Sequence, residues 1–200
     1  MELNELLQVA AKAELIFMQE SDRFEFLKSV TGNWNNHLPL LLLALRLTDN
    51  AFERTDVVEL GSGLGSTKYL RDYCGERSRY FNSYDNNKEW AEKCGAQYVD
   101  DWDGAPIWQS CGLLFVDHAP GEHRKVAIER MKDKAEIIVI HDTEEGGQGD
   151  YRFDTIWHLF KYRLNYNKTG GGAGATAVSN TIDLNRFRGL SLGQFTFDND

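Results

Sequence analysis

Apolar positions along this chain follow two rhythms. Residues 3–18, LNELLQVAAKAELIFM, repeat them at helical spacing, and SDRFEFLKSV continues that pattern after a break at Ser21. HLPLLLLALRL predicts a helix opening near Pro39, where a missing backbone donor costs nothing, with Asn50 a better stop than Asp49. From residue 57 the rhythm changes. Short apolar runs (DVVEL, RYFNSYD, AQYV, GLLFVD and EIIVIHD) predict strands, and they alternate with amphipathic STKYLRDYC, NKEWAEKC and EHRKVAIERMKD, short enough for crossover helices. A further helix is expected around DYRFDTIWHLFKYRL, then an exposed loop at KTGGGAGAT and a last strand near TAVSN. Such alternation predicts an α/β fold with a mostly parallel sheet between helices.

Composition narrows the function classes. The 200 residues carry a net charge of −9, from 31 acidic and 22 basic side chains, which argues against a surface built to hold nucleic acid or an anionic membrane. HLPLLLLALRL is too short to span a bilayer. Cys74, Cys94 and Cys111 lie at wide spacings, without a Cys-x-x-Cys pair or an early apolar signal segment, so a reduced, cytoplasmic protein is expected.

The chemistry concentrates first at VVELGSGLGSTKYL, residues 57–70. Glu59, Gly61, Gly63 and Gly65 place an acid and three glycines at a strand-to-helix turn, where small residues permit a tight bend and close ligand approach. Ser66 and Thr67 can cap the helix that follows. A dinucleotide loop wants its third glycine three residues after the second, but Gly65 comes two after Gly63, and no phosphate loop of the Gly-Lys-Ser/Thr kind is present. YFNSYD then ends at Asp85, a carboxylate with two oxygens for two neighbouring hydroxyls.

With these residues the stretch resembles the first motif of class I S-adenosylmethionine-dependent methyltransferases. The resemblance covers about residues 30–182. It implies a Rossmann-like seven-stranded sheet, mostly parallel with the last strand antiparallel, flanked by helices and preceded by extra N-terminal ones. It also implies S-adenosylmethionine as cofactor. Glu59, Gly61, Ser62, Gly63 and Gly65 would face its amino-acid portion, Asp85 its ribose, and Asp101 and Trp102 its adenine, with Asp100 and Asp103 as rivals.

The residues after GLLFV and EIIVI should border the reaction, because ligands of open parallel sheets sit at the carboxyl ends of the strands. These are Asp117 and His118, and His141, Asp142 and Thr143. FVDH and IHDTE look like the strand ends of small-molecule and sugar O-methyltransferases, whose catechol-type members hold magnesium there with two aspartates and an asparagine. Asp117, Asp142 and Thr143 are the matching metal candidates, with Glu144 in reserve, although threonine replaces asparagine. Without metal, His118 or His141 could serve as general base, or positioning alone could suffice. Asp117 also borders the cofactor, and Trp34 and His37 are candidate gate residues.

The expected organisation is a single domain with a helical cap over residues 1–50, a core sheet over 55–182 and an extension over 183–200. The expected partner is a small-molecule or sugar acceptor; neither a membrane nor nucleic acid is expected, and a homodimer is left open. A cofactor-binding module without activity, or a nucleic-acid methyltransferase, is the alternative reading.

Overall fold

The computed structural model describes residues 37–49, 56–104, 106, 109–144, 149–168, 174–187, 191–192 and 195–198. The helices expected at 3–18 and around SDRFEFLKSV, together with Trp34 and Asn50, lie outside these residues. The described chain runs α1 (Leu38–Thr48), β1 (Val57–Leu60), α2 (Ser66–Glu76), β2 (Phe81–Asp85), α3 (Lys88–Cys94) and β3 (Gln97–Tyr98). It continues through β4 (Cys111–Val116), α4 (Arg124–Met131), β5 (Ala135–His141), β6 (Tyr162–Lys168), β7 (Ala175–Ser179), β8 (Ser191–Leu192) and β9 (Phe195–Asp198).

Strand order is β3-β2-β1-β4-β5-β7-β6-β9-β8. The first five strands are mutually parallel, and β7 lies antiparallel between β5 and β6. This is the expected seven-stranded sheet. The stretch read as an extension adds the β8–β9 hairpin to the edge of β6.

Every residue of β1 and β4 is buried, as a central parallel strand covered on both faces requires. Alternation divides them. Val57, Leu113, Phe115, Ile137 and Val139 pack under α1 and α2, whereas Val58, Leu60, Leu114, Val116 and Ile138 pack against Ala127, Ile128 and Met131 of α4. Pro39 stands in the first turn of α1. Among the described residues no helix is long and apolar enough to cross a membrane, and all three cysteines are free and buried.

One expected element is corrected. The stretch 150–164 forms no long helix: it makes two 3-10 turns, Phe153–Thr155 and Trp157–Leu159, and enters β6 at Tyr162. Arg152 breaks the helical path with a left-handed φ of 61°. Its aromatic and β-branched residues have modest helix propensity, so burial of Phe153 and Ile156 and pairing of Tyr162–Tyr166 with β7 decide the conformation.

Chain order reverses between β1 and β4. The helix connections carry β2 and β3 outward on one side, and the chain then returns across β1 to place β4 on the other. A crevice opens at such a switch point, beyond the carboxyl ends of the strands. Gly61, Asp85, Asp117 and Asp142 all stand at that edge.

Candidate functional site

The glycine loop is tied to both flanking strands. Gly61 has φ +90°, and a Cβ there would lie 2.4 Å from the Asp117 carbonyl carbon, so only glycine lets β1 turn this close to the end of β4. Ser62 donates its backbone N–H and its hydroxyl to Asp85 Oδ2, each at 2.8 Å, while Asn87 N–H donates to Oδ1 at 2.8 Å. Three donors leave one lone pair on Oδ1 open, and rotation of the Ser62 hydroxyl frees a second. A vicinal diol needs two.

Glu59 anchors the loop from below. Gly63 N–H donates to Thr67 Oγ1 (2.9 Å), whose hydroxyl donates to Glu59 Oε2 (2.7 Å), and Ser83 Oγ donates to the same oxygen (2.5 Å). Glu59 is fully buried and its Oε1 has no partner among the described residues. Burial pushes its pKa up to about 7 against the pull of the surrounding hydroxyls. The carboxyl therefore stands between its neutral and charged forms near neutral pH.

Further along the edge, Trp102 is buried, donates its indole N–H to Ala119 O (3.0 Å) and lies 4.5 Å from the His118 ring. Asp101 is exposed and accepts from Asp103 N–H in its own turn (3.0 Å), while Asp100 accepts from the Tyr98 hydroxyl (2.9 Å).

At the ends of β4 and β5, the alternation of the sheet separates the two histidines. His118 turns to the α4 face, against Trp102, while His141 turns to the α1 face, where His37 stacks on Phe115 (4.8 Å) and meets His141 edge-on (4.7 Å). Asp142 has φ 57°, a left-handed conformation that aspartate tolerates. His141 Nδ1 lies 3.2 Å from Asp117 Oδ1 and 3.1 Å from Asp142 Oδ1.

Arg124, at the start of α4, closes this arrangement. Its Nε donates to His118 O (2.8 Å), Nη1 to His141 O (3.3 Å) and Asp142 Oδ2 (2.9 Å), and Nη2 to Asp117 O (3.3 Å); Nη2 also pairs with Asp117 Oδ1 at 3.0 Å. The four side chains carry two positive and two negative charges when His141 is protonated. Burial alone would lower the His141 pKa, but the carboxylates of Asp117 and Asp142 outweigh it and raise it to about 10. Burial opposes ionisation of Asp142 as well, yet His141 and Arg124 hold it down at about 2.

These values sort the candidate bases. A histidine held as imidazolium is a donor at neutral pH, which removes His141 from the role of general base. Burial, then Arg124, lowers His118 to about 3, and burial holds His37 well below its ordinary value, so both rings are neutral. Both nitrogens of His37, both of His118 and Nε2 of His141 have no hydrogen-bond partner among the described residues. Buried polar atoms are seldom left so, and here they fall on both faces of the sheet edge, His37 and His141 on the α1 side and His118 on the α4 side.

The expected magnesium does not fit. Asp117, His141 and Asp142 bring ligand atoms within 4.8 Å of one another, but Arg124 already pairs with both carboxylates, and a dication would meet it and an imidazolium together. The remaining oxygens of the expected set are engaged elsewhere: the Thr143 hydroxyl accepts from Thr176 Oγ1 (2.8 Å), and Glu144 accepts from Gly174 N–H (2.7 Å).

No family model matches the chain, and no curated protein matches it. Solved structures do. Human methyltransferase 10 domain containing protein is 11% identical over 72% of this chain and 80% of its own, with a TM-score of 0.51. The METTL16 MTase domain is 11% identical over 73% and 68%, with a TM-score of 0.50. The fold is that of class I methyltransferases. At such identities the likeness speaks for the fold alone. The O-methyltransferase TomG from Streptomyces achromogenes, solved in complex with SAM, is 15% identical over 78% of this chain and 95% of its own, at a TM-score of 0.49.

Within this methyltransferase fold, the structure brings Glu59, Gly61, Ser62, Gly63, Asp85 and Asp117 together around the ends of β1, β2 and β4, with His37, His141 and Asp142 at the end of β5. Thr143 turns toward β7 and Asp101 toward solvent. Arg124 escaped the sequence reading because PGEHRK reads as a polar helix start.

Proposed function

We propose that this chain is an S-adenosylmethionine-dependent methyltransferase acting on a hydroxyl of a small molecule or sugar, as a single cytoplasmic domain. The observation that carries it is the Asp85 carboxylate, joined to the loop through Ser62 yet keeping acceptor capacity for a ribose diol at the carboxyl end of β2. Glu59 beneath the loop adds a carboxyl that a cationic ligand would ionise.

The cofactor, when bound, supplies an electrophilic methyl group on its sulfonium. The chain's residues hold and orient. Neutral His37 offers an open nitrogen to accept the acceptor's O–H, and His141 Nε2–H donates to the same oxygen; a hydroxyl is the group that suits both. A weak base serves, because an oxygen that has gained a methyl group while still protonated is strongly acidic. The burial of both rings excludes competing water.

Titration calorimetry with S-adenosylmethionine tests the reading, followed by transfer of labelled methyl to a panel of hydroxylated acceptors. The purified protein should bind the cofactor, and Asp85→Ala should weaken binding by about tenfold or more. Absence of binding overturns the proposal; binding without transfer to any acceptor favours a binding module instead.

A further inference from the structure

The guanidinium of Arg124 offers five N–H donors and reaches five acceptors: three strand-end carbonyls and two carboxylates. Its side chain is 7% exposed. The Tyr151 ring covers it, with the guanidinium carbon 4.8 Å from the ring centroid. That ring fits because residue 121 is glycine: a Cβ there would lie 2.2 Å from a Tyr151 ring carbon. Arg124 is also the first residue of α4, where the helix dipole disfavours a cation. Local helix energetics therefore do not explain it, whereas the two carboxylates do.

Resting on the methyltransferase reading above, we infer that Arg124 is the resident cation of this site. It is a positioning residue that fills, with a side chain, the place between the strand-end carboxylates of Asp117 and Asp142 that a divalent metal would take. It holds Asp142 by Oδ2 with Oδ1 turned onto His141 Nδ1, shares Asp117 Oδ1 with that same nitrogen, and so directs Nε2 at the acceptor. It also makes the site independent of metal. Arginine suits the task better than lysine, since a planar fork can hold two carboxylates and three carbonyls at fixed angles while a point charge cannot.

Electron paramagnetic resonance of Mn2+ added to the full chain tests this without any activity measurement. The wild type should leave the Mn2+ spectrum unchanged, or show only binding that survives Asp142→Asn. Arg124→Met should bind Mn2+ about tenfold or more tightly than wild type, and Asp142→Asn in that background should abolish the gain. Arg124→Lys should still exclude the ion, since it keeps the charge, while turnover falls because the fork is lost.

Mn2+ binding by the wild type that disappears in Asp142→Asn would overturn the inference, as would an Arg124→Lys variant that takes up Mn2+ as Arg124→Met does. If Arg124→Met fails to fold, the wild type and Asp142→Asn decide alone. Cofactor calorimetry separates the two proposals: a chain that ignores S-adenosylmethionine but excludes Mn2+ loses the methyltransferase reading and keeps the cation. A chain that binds S-adenosylmethionine and also binds Mn2+ in a way that Asp142→Asn abolishes keeps the first and loses the second.

Discussion

Glu59→Gln isolates the electrostatics under the cofactor loop. In the folded chain the Glu59 carboxyl holds its proton up to about pH 7, against an ordinary value of 4.5, chiefly because it is fully buried. The folded state therefore binds more protons than the unfolded state between those two values, and Glu59 makes the fold less stable as pH rises through them. A rise from 4.5 to about 7, at about 1.4 kcal/mol for each unit, amounts to about 3 kcal/mol lost by pH 8. Glutamine keeps an oxygen for the Thr67 and Ser83 hydroxyls and puts an amide where Oε1 has no partner. That mismatch is the same at every pH. The stability difference between variant and wild type should therefore shift in favour of glutamine by about 3 kcal/mol between pH 4 and pH 8. Urea unfolding of both proteins without cofactor across that range measures it. Parallel stability profiles would refute the reasoning, because His141, Asp142 and the other titrating groups are shared by both chains and cancel in the difference.

Three further outcomes follow from the same geometry. Binding of S-adenosylmethionine near pH 6 should release protons as its cationic head ionises Glu59, which calorimetry in buffers of different ionisation enthalpy would detect; a buffer-independent enthalpy would contradict it. Gly61→Ala should destabilise the fold by about 2 kcal/mol or more and abolish cofactor binding, since it combines a φ of +90° with a clash at 2.4 Å; a loss below about 0.5 kcal/mol in urea unfolding would count against the close approach of β1 and β4. His118, whose pKa falls from 6.5 to about 3 on folding, disfavours the folded state as pH drops below 6.5, by about 2 kcal/mol at pH 5. His118→Phe keeps a ring against Trp102 and should recover that stability at pH 5 relative to pH 8; an unchanged acid limb would show that His118 is not buried neutral.

What the sequence made legible was whatever depended on neighbours in the chain. The loop of residues 57–70 could be read because a strand, an acid and three glycines bend the backbone within a few residues, and Asp85 because strand period and strand end coincide. The sheet was readable for the same reason: buried parallel strands are continuous apolar runs. The aromatic stretch 150–164 misled because its apolar spacing was set by contact with a sheet face rather than by a helix of its own. The stack of His37 on Phe115 and its edge-on contact with His141 join residues up to 104 apart, and no local pattern announces them. Protonation of His141 was equally hidden, since it depends on carboxylates from two strand ends. Arg124 is the instructive case. A cation in the first turn of a helix stands where the dipole favours an anion, and here it follows one strand-end aspartate and precedes another. A positive charge placed against its own helix implies a negative partner elsewhere, and in a parallel sheet the acids at adjacent strand ends are within reach. A basic residue opening a helix, in HRK, is a local signal from which the ion pairs that close this site could have been sought.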